Sequence, residues 1–141
     1  MAFTGKQLTT QLDADGTLTV QLNDKTWEDP KPGQVLIKVE ATPINPSDLG
    51  LLFASADTDN AEYSPGKVVA KMPEAATRAF KARHGMAMPA GNEAAGIVVA
   101  AGAGAEHLMG KRIACVPGTA YGTYAIAEAQ MAFAVDDSVT A

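Results

Sequence analysis

The sequence predicts a mainly β domain, a partly open barrel of short strands with two or three short helices. Two patterns carry that expectation. From residue 94 onward, short apolar segments follow one another with glycine between them: "AAGIVVAAG", "KRIACV", "YGTYAIA" and "MAFAV". Repeated short strands separated by turn residues mark barrels and closely packed sheets. The first 42 residues add segments in which apolar and polar residues alternate, the period that a pleated strand sorts onto two faces.

Taken in order, residues 6–22 place Leu8 and Leu12 before "DADG" and Leu18, Val20 and Leu22 after it at period two. That spacing predicts a hairpin, with Gly16 supplying the permissive turn backbone. The Pro/Gly loop "EDPKPG" launches a strand, "QVLIKVEAT", with Val35, Ile37, Val39 and Ala41 on one face and Lys38 and Glu40 on the other. In "PINPSDLGLLF", residues 43–53, Asn45 suits an N-cap and Pro46 the first helical position. Asp48 falls in the first turn, where a negative charge complements the helix dipole. A short helix is expected there, then a polar loop, "ASADTDNAEYSPG". A second helix is expected at 73–84, opened by Pro73 and Glu74, loaded at its end with Arg78, Lys81, Arg83 and His84, and closed by Gly85. The last residues, "DDSVTA", are polar and close no element, as at a domain boundary.

Composition narrows the function classes. The chain has 141 residues, 47% hydrophobic and 19% charged, enough for one self-sufficient core. A net charge of −5 opposes nucleic acid and anionic membrane surfaces as partners, since both call for a basic footprint. The start, "MAFTGKQLTT", lacks the basic-then-apolar pattern of a signal peptide. The run 94–105 is too short and glycine-rich to span a bilayer, which takes about 20 apolar residues. Cys115 is the only cysteine, which permits no internal disulfide and fits a reducing cytoplasm.

Several candidate sites have a plainer explanation. "GAGAEH", residues 102–107, begins like a dinucleotide fingerprint, but His107 stands where Gly or Ala is needed and the strand "KRIACV" follows too soon for a helix. It is expected to be a tight turn. His84, Glu93, His107 and Cys115 lack the helical spacing of metal ligands. A metal site at His84, His107 or Cys115 is the third and weakest alternative. Cys115 suits a small core hydrophobe. Arg78, Lys81 and Arg83 have the chemistry to hold a phosphate, yet cations near a helix C-terminus already explain them. Ser47 has no sequence-adjacent histidine to activate it as a nucleophile.

Four segments in order, "KPGQVLIKVEATPINPSDLGLL", "MPAGNEAAGIVVAAGAG", "MGKRIACV" and "YGTYAIAEAQMAFAVDDSV", resemble the medium-chain dehydrogenase/reductase superfamily. They look like its N-terminal GroES-like catalytic domain over about residues 30–138, and the first 29 fit the opening hairpin more loosely. In the zinc-dependent members a cysteine ligand opens the helix after the first long strand, and a later turn reads Gly-His-Glu. The corresponding positions here are Asn45 and Asn92, and a neutral amide is a poor zinc ligand beside thiolate or imidazole. A four-cysteine structural zinc lobe is impossible with one cysteine.

The resemblance therefore implies the zinc-independent branch, similar to NADPH-linked quinone oxidoreductases and enone reductases. It puts Asn45 beside nicotinamide and substrate as a positioning group, with Pro46, Ser47 and Asp48 setting the helix that holds it and Pro46 and Ser47 also on the cofactor side. It puts Asp48, Asn92 and Glu93 along the substrate side. Tyr63 is a further proton-donor or substrate-contact candidate with no assigned role. The segment 54–88 is longer than in compact members. The family's nucleotide-binding domain follows the region this chain covers, so residues 1–141 are expected to be a half-site without turnover that does not bind NADP(H) alone. The rival expectation is a free-standing GroES-like module for binding or assembly. Strand edges of an unfinished barrel offer a route to self-association as a homo-oligomer.

Overall fold

The computed structural model describes residues 2–140. Its strands are β1 Phe3–Leu12, β2 Thr17–Trp27, β3 Gln34–Ala41, β4 Asp57–Ser64, β5 Lys67–Lys71, β6 Met88–Pro89, β7 Ala94–Ala101, β8 Arg112–Cys115, β9 Tyr124–Glu128 and β10 Ala132–Ala134. The α-helices are α1 Pro46–Phe53 and α2 Glu74–Ala79. The strands form two five-stranded sheets, ordered β10-β8-β7-β3-β9 and β4-β5-β2-β1-β6, neither closed on itself. This is the mainly β, GroES-like class that the sequence predicts. The chain divides into two compact units, one of residues up to Gln7, Asp24–Pro43 and Gly91 onward, the other of Leu8–Asn23 and Ile44–Ala90.

In the first unit β3 lies between β7 and β9, antiparallel to both. Val35, Leu36 and Ile37 are all wholly buried. A one-faced strand was expected, and a strand with a neighbour on either side and both faces covered is found over these three residues. Ile37 and Val35 pack with Val98, Ile113 and Ala125 in the unit's core. Strands and turns come close in this unit. A Cβ on Gly96 would collide with the Lys38 carbonyl of β3, and one on Gly102 with the carbonyl of Lys31. Trp27 is buried and meets the Tyr124 ring edge-on, with centroids 5.5 Å apart.

In the second unit the hairpin β1–β2 turns at Asp13–Gly16, with Gly16 at φ 83°. Leu12, Leu18 and Val20 are buried, but Leu22 is 44% exposed, so the alternation ends one step sooner than its pattern suggests. Helix α1 has the expected bounds, with Asn45 as N-cap and Pro46 first. The expected loop after it is instead the hairpin β4–β5. Strand β4, "DTDNAEYS", is almost wholly exposed, and an edge strand with no buried face shows no hydrophobic period. The turn residues Pro65 and Gly66 (φ 72°) and the β-branched "KVV" were the readable signals. Helix α2 is shorter than expected: after Ala79 the chain tightens to a 3-10 turn at Lys81–Arg83, and Gly85 then bonds to Leu12.

Between α1 and β4, Ala54 takes φ 49°, ψ −118° and the Ala56 N–H donates to the Phe53 carbonyl at 2.9 Å. That is the first central position of a type II′ turn, where glycine is the natural occupant. Positive φ at a non-glycine residue costs about 1–3 kcal/mol, and glycine returns roughly 0.5–1 kcal/mol of it in unfolded-state entropy. Ala54→Gly is expected to raise stability by about 1 kcal/mol in denaturant unfolding. Gly96→Ala is expected to lower it by about 1–3 kcal/mol or more, because the carbonyl it meets is backbone and has no room to yield. Equal stability of all three proteins would contradict both assignments.

Candidate functional site

The residues singled out from the sequence fall in both units: Asn45, Pro46, Ser47 and Asp48 in one, Asn92 and Glu93 in the other. The first set is the opening turn of α1. Asn45 is half-buried in extended backbone, φ −94° and ψ 158°, the conformation a following proline imposes. Its carbonyl accepts the N–H groups of Asp48 at 3.0 Å and Leu49 at 3.2 Å. Its own N–H donates to Asp48 Oδ2 at 2.8 Å, part of a capping box. Pro46 and Ser47 are exposed, whereas Asp48 has no exposed surface at all. Ile44 and Leu49, 72% and 48% exposed, give this turn an apolar border.

In the other unit, Asn92 and Glu93 sit in a turn that ends at β7. Gly91 has φ 101°, and a Cβ there would run into the Tyr121 N–H and Ala120. The turn is tied to two distant stretches. Gly118 donates to the Asn92 carbonyl at 3.3 Å and Ala120 to that of Gly91 at 2.9 Å. Thr42 Oγ1 donates to the Glu93 carbonyl at 2.7 Å, and the Tyr121 hydroxyl to that of Pro43 at 3.0 Å. Thr42 and Tyr121 were missed in the sequence because their partners lie 51 and 78 residues away, and no local pattern announces such contacts.

Beside this turn is a cavity of about 550 Å³. Its floor is one register row across the sheet, Ala41 opposite Ala95, Ala95 opposite Ala114, and Ala114 opposite Phe133. Directly opposed residues share a face, so three small side chains form a shelf and the exposed Phe133 ring borders it. Thr42, Pro43, Glu93, Ala94, Cys115 and Val116 complete the lining. Burial pushes the Cys115 thiol up to about 11.

The other sequence candidates keep their plain explanations. Gly104 has φ 84° and the chain enters a 3-10 turn at Glu106–Leu108, so no helix N-terminus is presented to a diphosphate there. Arg78 pairs with Glu74, and Arg83 lies over the Phe80 ring at 5.4 Å. His84 Nε2 is 2.9 Å from the Thr77 carbonyl. The Tyr63 hydroxyl donates to the Thr58 carbonyl at 2.8 Å on edge strand β4. Among the described residues no three His, Cys, Asp or Glu side chains gather as a metal site would require, and no helix is long and apolar enough to cross a membrane. The amide side chains of Asn45 and Asn92 are poor zinc ligands beside thiolate or imidazole.

The profile of the alcohol dehydrogenase GroES-like domain matches residues 31–137. The chain belongs to that family. This GroES-like domain also superposes on solved structures across nearly its whole length. A quinone oxidoreductase from Coxiella burnetii aligns at TM-score 0.65 and 16% identity, covering 98% of this chain and 39% of that one. A protein proposed to be an NADPH:quinone reductase from Mesorhizobium loti aligns at 0.62 and 23%, covering 97% and 38%. A mycobacterial protein solved with NADPH aligns at 0.61 and 18%, covering 96% and 34%. At these identities the likeness establishes the fold, and the chain spans little more than a third of each of these structures. Among curated proteins no sequence relative is found.

The Cys115 environment gives a direct test. Alkylation by iodoacetamide should be slow at neutral pH and keep accelerating toward pH 11, because the thiolate is the nucleophile. The folded thiol titrates above its ordinary value of 9.0, so stability is undiminished below that value and falls as pH rises through about 11. An alkylation rate that levels off near pH 9 would show the thiol to be solvent-facing.

Proposed function

We propose that this GroES-like domain is the substrate-side part of a zinc-independent, NADPH-linked cytoplasmic oxidoreductase that reduces a quinone or an enone. The observation that carries this is Asn45, an amide at the N-cap of α1 where zinc-dependent members place a cysteine. The quinone oxidoreductase from Coxiella burnetii and the mycobacterial structure with NADPH support the substrate class and the cofactor. NADP(H) supplies a hydride when bound. In this reading a nucleotide-binding part outside the described residues holds the cofactor, and the 141-residue chain alone is expected to show no turnover.

In this scheme Asn45 orients the reacting groups, with Pro46 and Ser47 beside it on the nicotinamide side. As hydride adds to the conjugated system, negative charge develops on the carbonyl oxygen. With no metal to polarise that oxygen, a fixed side-chain amide N–H stabilises it in place of water. Ile44 and Leu49 fit the apolar ring of a quinone. Asn92 and Glu93 line the substrate side.

The test uses the full-length protein and follows NADPH oxidation with a small quinone and with an enone, each with and without a strong chelator. Turnover insensitive to the chelator is expected. Asn45→Ala should lower kcat on the order of 100-fold with a smaller change in KM. Chelator-sensitive turnover would overturn the zinc-free assignment, and absence of turnover on both substrates would favour the binding module.

A further inference from the structure

We propose that Asp48 is a positioning residue: through the Asn45 N–H, its buried carboxylate fixes the turn from which the Asn45 amide projects. The inference rests on Asn45 being the orienting group described above, and it moves Asp48 from the substrate side to a place behind Asn45.

An acidic residue in a helix's first turn ordinarily faces water, where it complements the dipole at little cost. Asp48 is instead wholly buried, and a carboxyl taken out of water holds its place only when hydrogen bonds replace the lost solvation. One of those bonds is the Asn45 N–H to Oδ2 at 2.8 Å. The Asn45 carbonyl is held too, by the N–H groups of Asp48 and Leu49. Between them Pro46 has a fixed φ and no N–H to offer a competing arrangement. Both backbone groups of Asn45 are thus occupied.

The far end of α1 is anchored as well. Thr10, also wholly buried, donates from Oγ1 to the Leu52 carbonyl at 2.7 Å, while Leu52 itself is buried. The helix is pinned at both ends by side chains out of reach of water. Such support is what a positioned amide needs, since a displacement of about 1 Å at a reacting group can cost ~100-fold in rate.

The test has two arms. In the 141-residue chain, nuclear magnetic resonance follows the Asn45 backbone and side-chain amides in wild type, Asp48→Asn and Asp48→Ala. Asp48→Asn keeps the shape and replaces one carboxyl oxygen with an amide NH2, so it carries the test even where Asp48→Ala fails to fold. The Asn45 backbone amide is expected to shift upfield, and its side chain to sample more than one rotamer. Thr10→Val loosens the far end and should lower stability while leaving the Asn45 side-chain signals in place. In the NADPH-oxidising protein, Asp48→Asn should lower kcat roughly tenfold, short of the ~100-fold a full misplacement can cost, with KM for NADPH unchanged. The double variant Asn45→Ala/Asp48→Asn should be no slower than Asn45→Ala alone.

Unchanged Asn45 signals in Asp48→Asn, or rate losses that multiply in the double variant, would overturn the proposal. Absence of turnover in the wild type would remove the oxidoreductase reading, and the resonance arm would still decide whether Asp48 governs Asn45.

Discussion

The close approach of β7 to β3 is the constraint on which the first unit depends. Gly96 brings β7 so near the Lys38 carbonyl that no side chain fits between, and Gly102 does the same against Lys31. Alanines at 94, 125 and 127 share the buried core with Val35, Ile37, Val98 and Ile113. The ladder between β3 and β7 still shifts at Leu36/Ile37 and again at Val39/Ala41. The row Ala41, Ala95, Ala114 and Phe133 stays aligned across four strands, and the Asn92–Glu93 turn enters β7 at a defined point.

The second unit solves a different problem, that of holding an eight-residue helix too short to be stable alone. Its buried face is narrow, with Leu52 buried and Phe53 packed beside Leu12, Leu18 and Met72. Polar anchors supply what apolar area does not: Thr10 at one end, Asp48 at the other. Each is hidden from water, so each bond forms without competition from solvent. The strained Ala54 comes directly after the helix, at the point where the chain reverses into β4.

What was legible in the sequence follows how local each signal was. Helix α1 could be placed because Asn45, Pro46 and Asp48 specify its start within four positions. Strands β7, β8 and β9 showed as apolar runs bounded by glycine. Strand β4 was not legible, since its eight residues bury almost nothing and no periodicity distinguishes such a strand from a loop. Leu36 shows the limit of alternation: a second buried face on β3 depends on what packs there, which a single strand's pattern does not encode. In the candidate site, Asn45, Asn92 and Glu93 came from the family resemblance. The burial of Asp48, the Thr42 and Tyr121 contacts and the alanine shelf depend on residues distant in sequence, and only the fold brings them together.

The place of β3 between β7 and β9 also sets an order of assembly. One neighbour, Ala94–Ala101, begins some fifty residues later in the chain, and the other, Tyr124–Glu128, later still. Such pairings must close long loops before any of their bonds repay the lost chain entropy. During synthesis β3, wholly buried at Val35–Ile37 once folded, therefore has both edges open until β7 is made and one edge open until β9 follows. The Val35–Ile37 segment is then an unprotected apolar strand, and the interval before β9 arrives is when this domain is most exposed to mispairing with another chain.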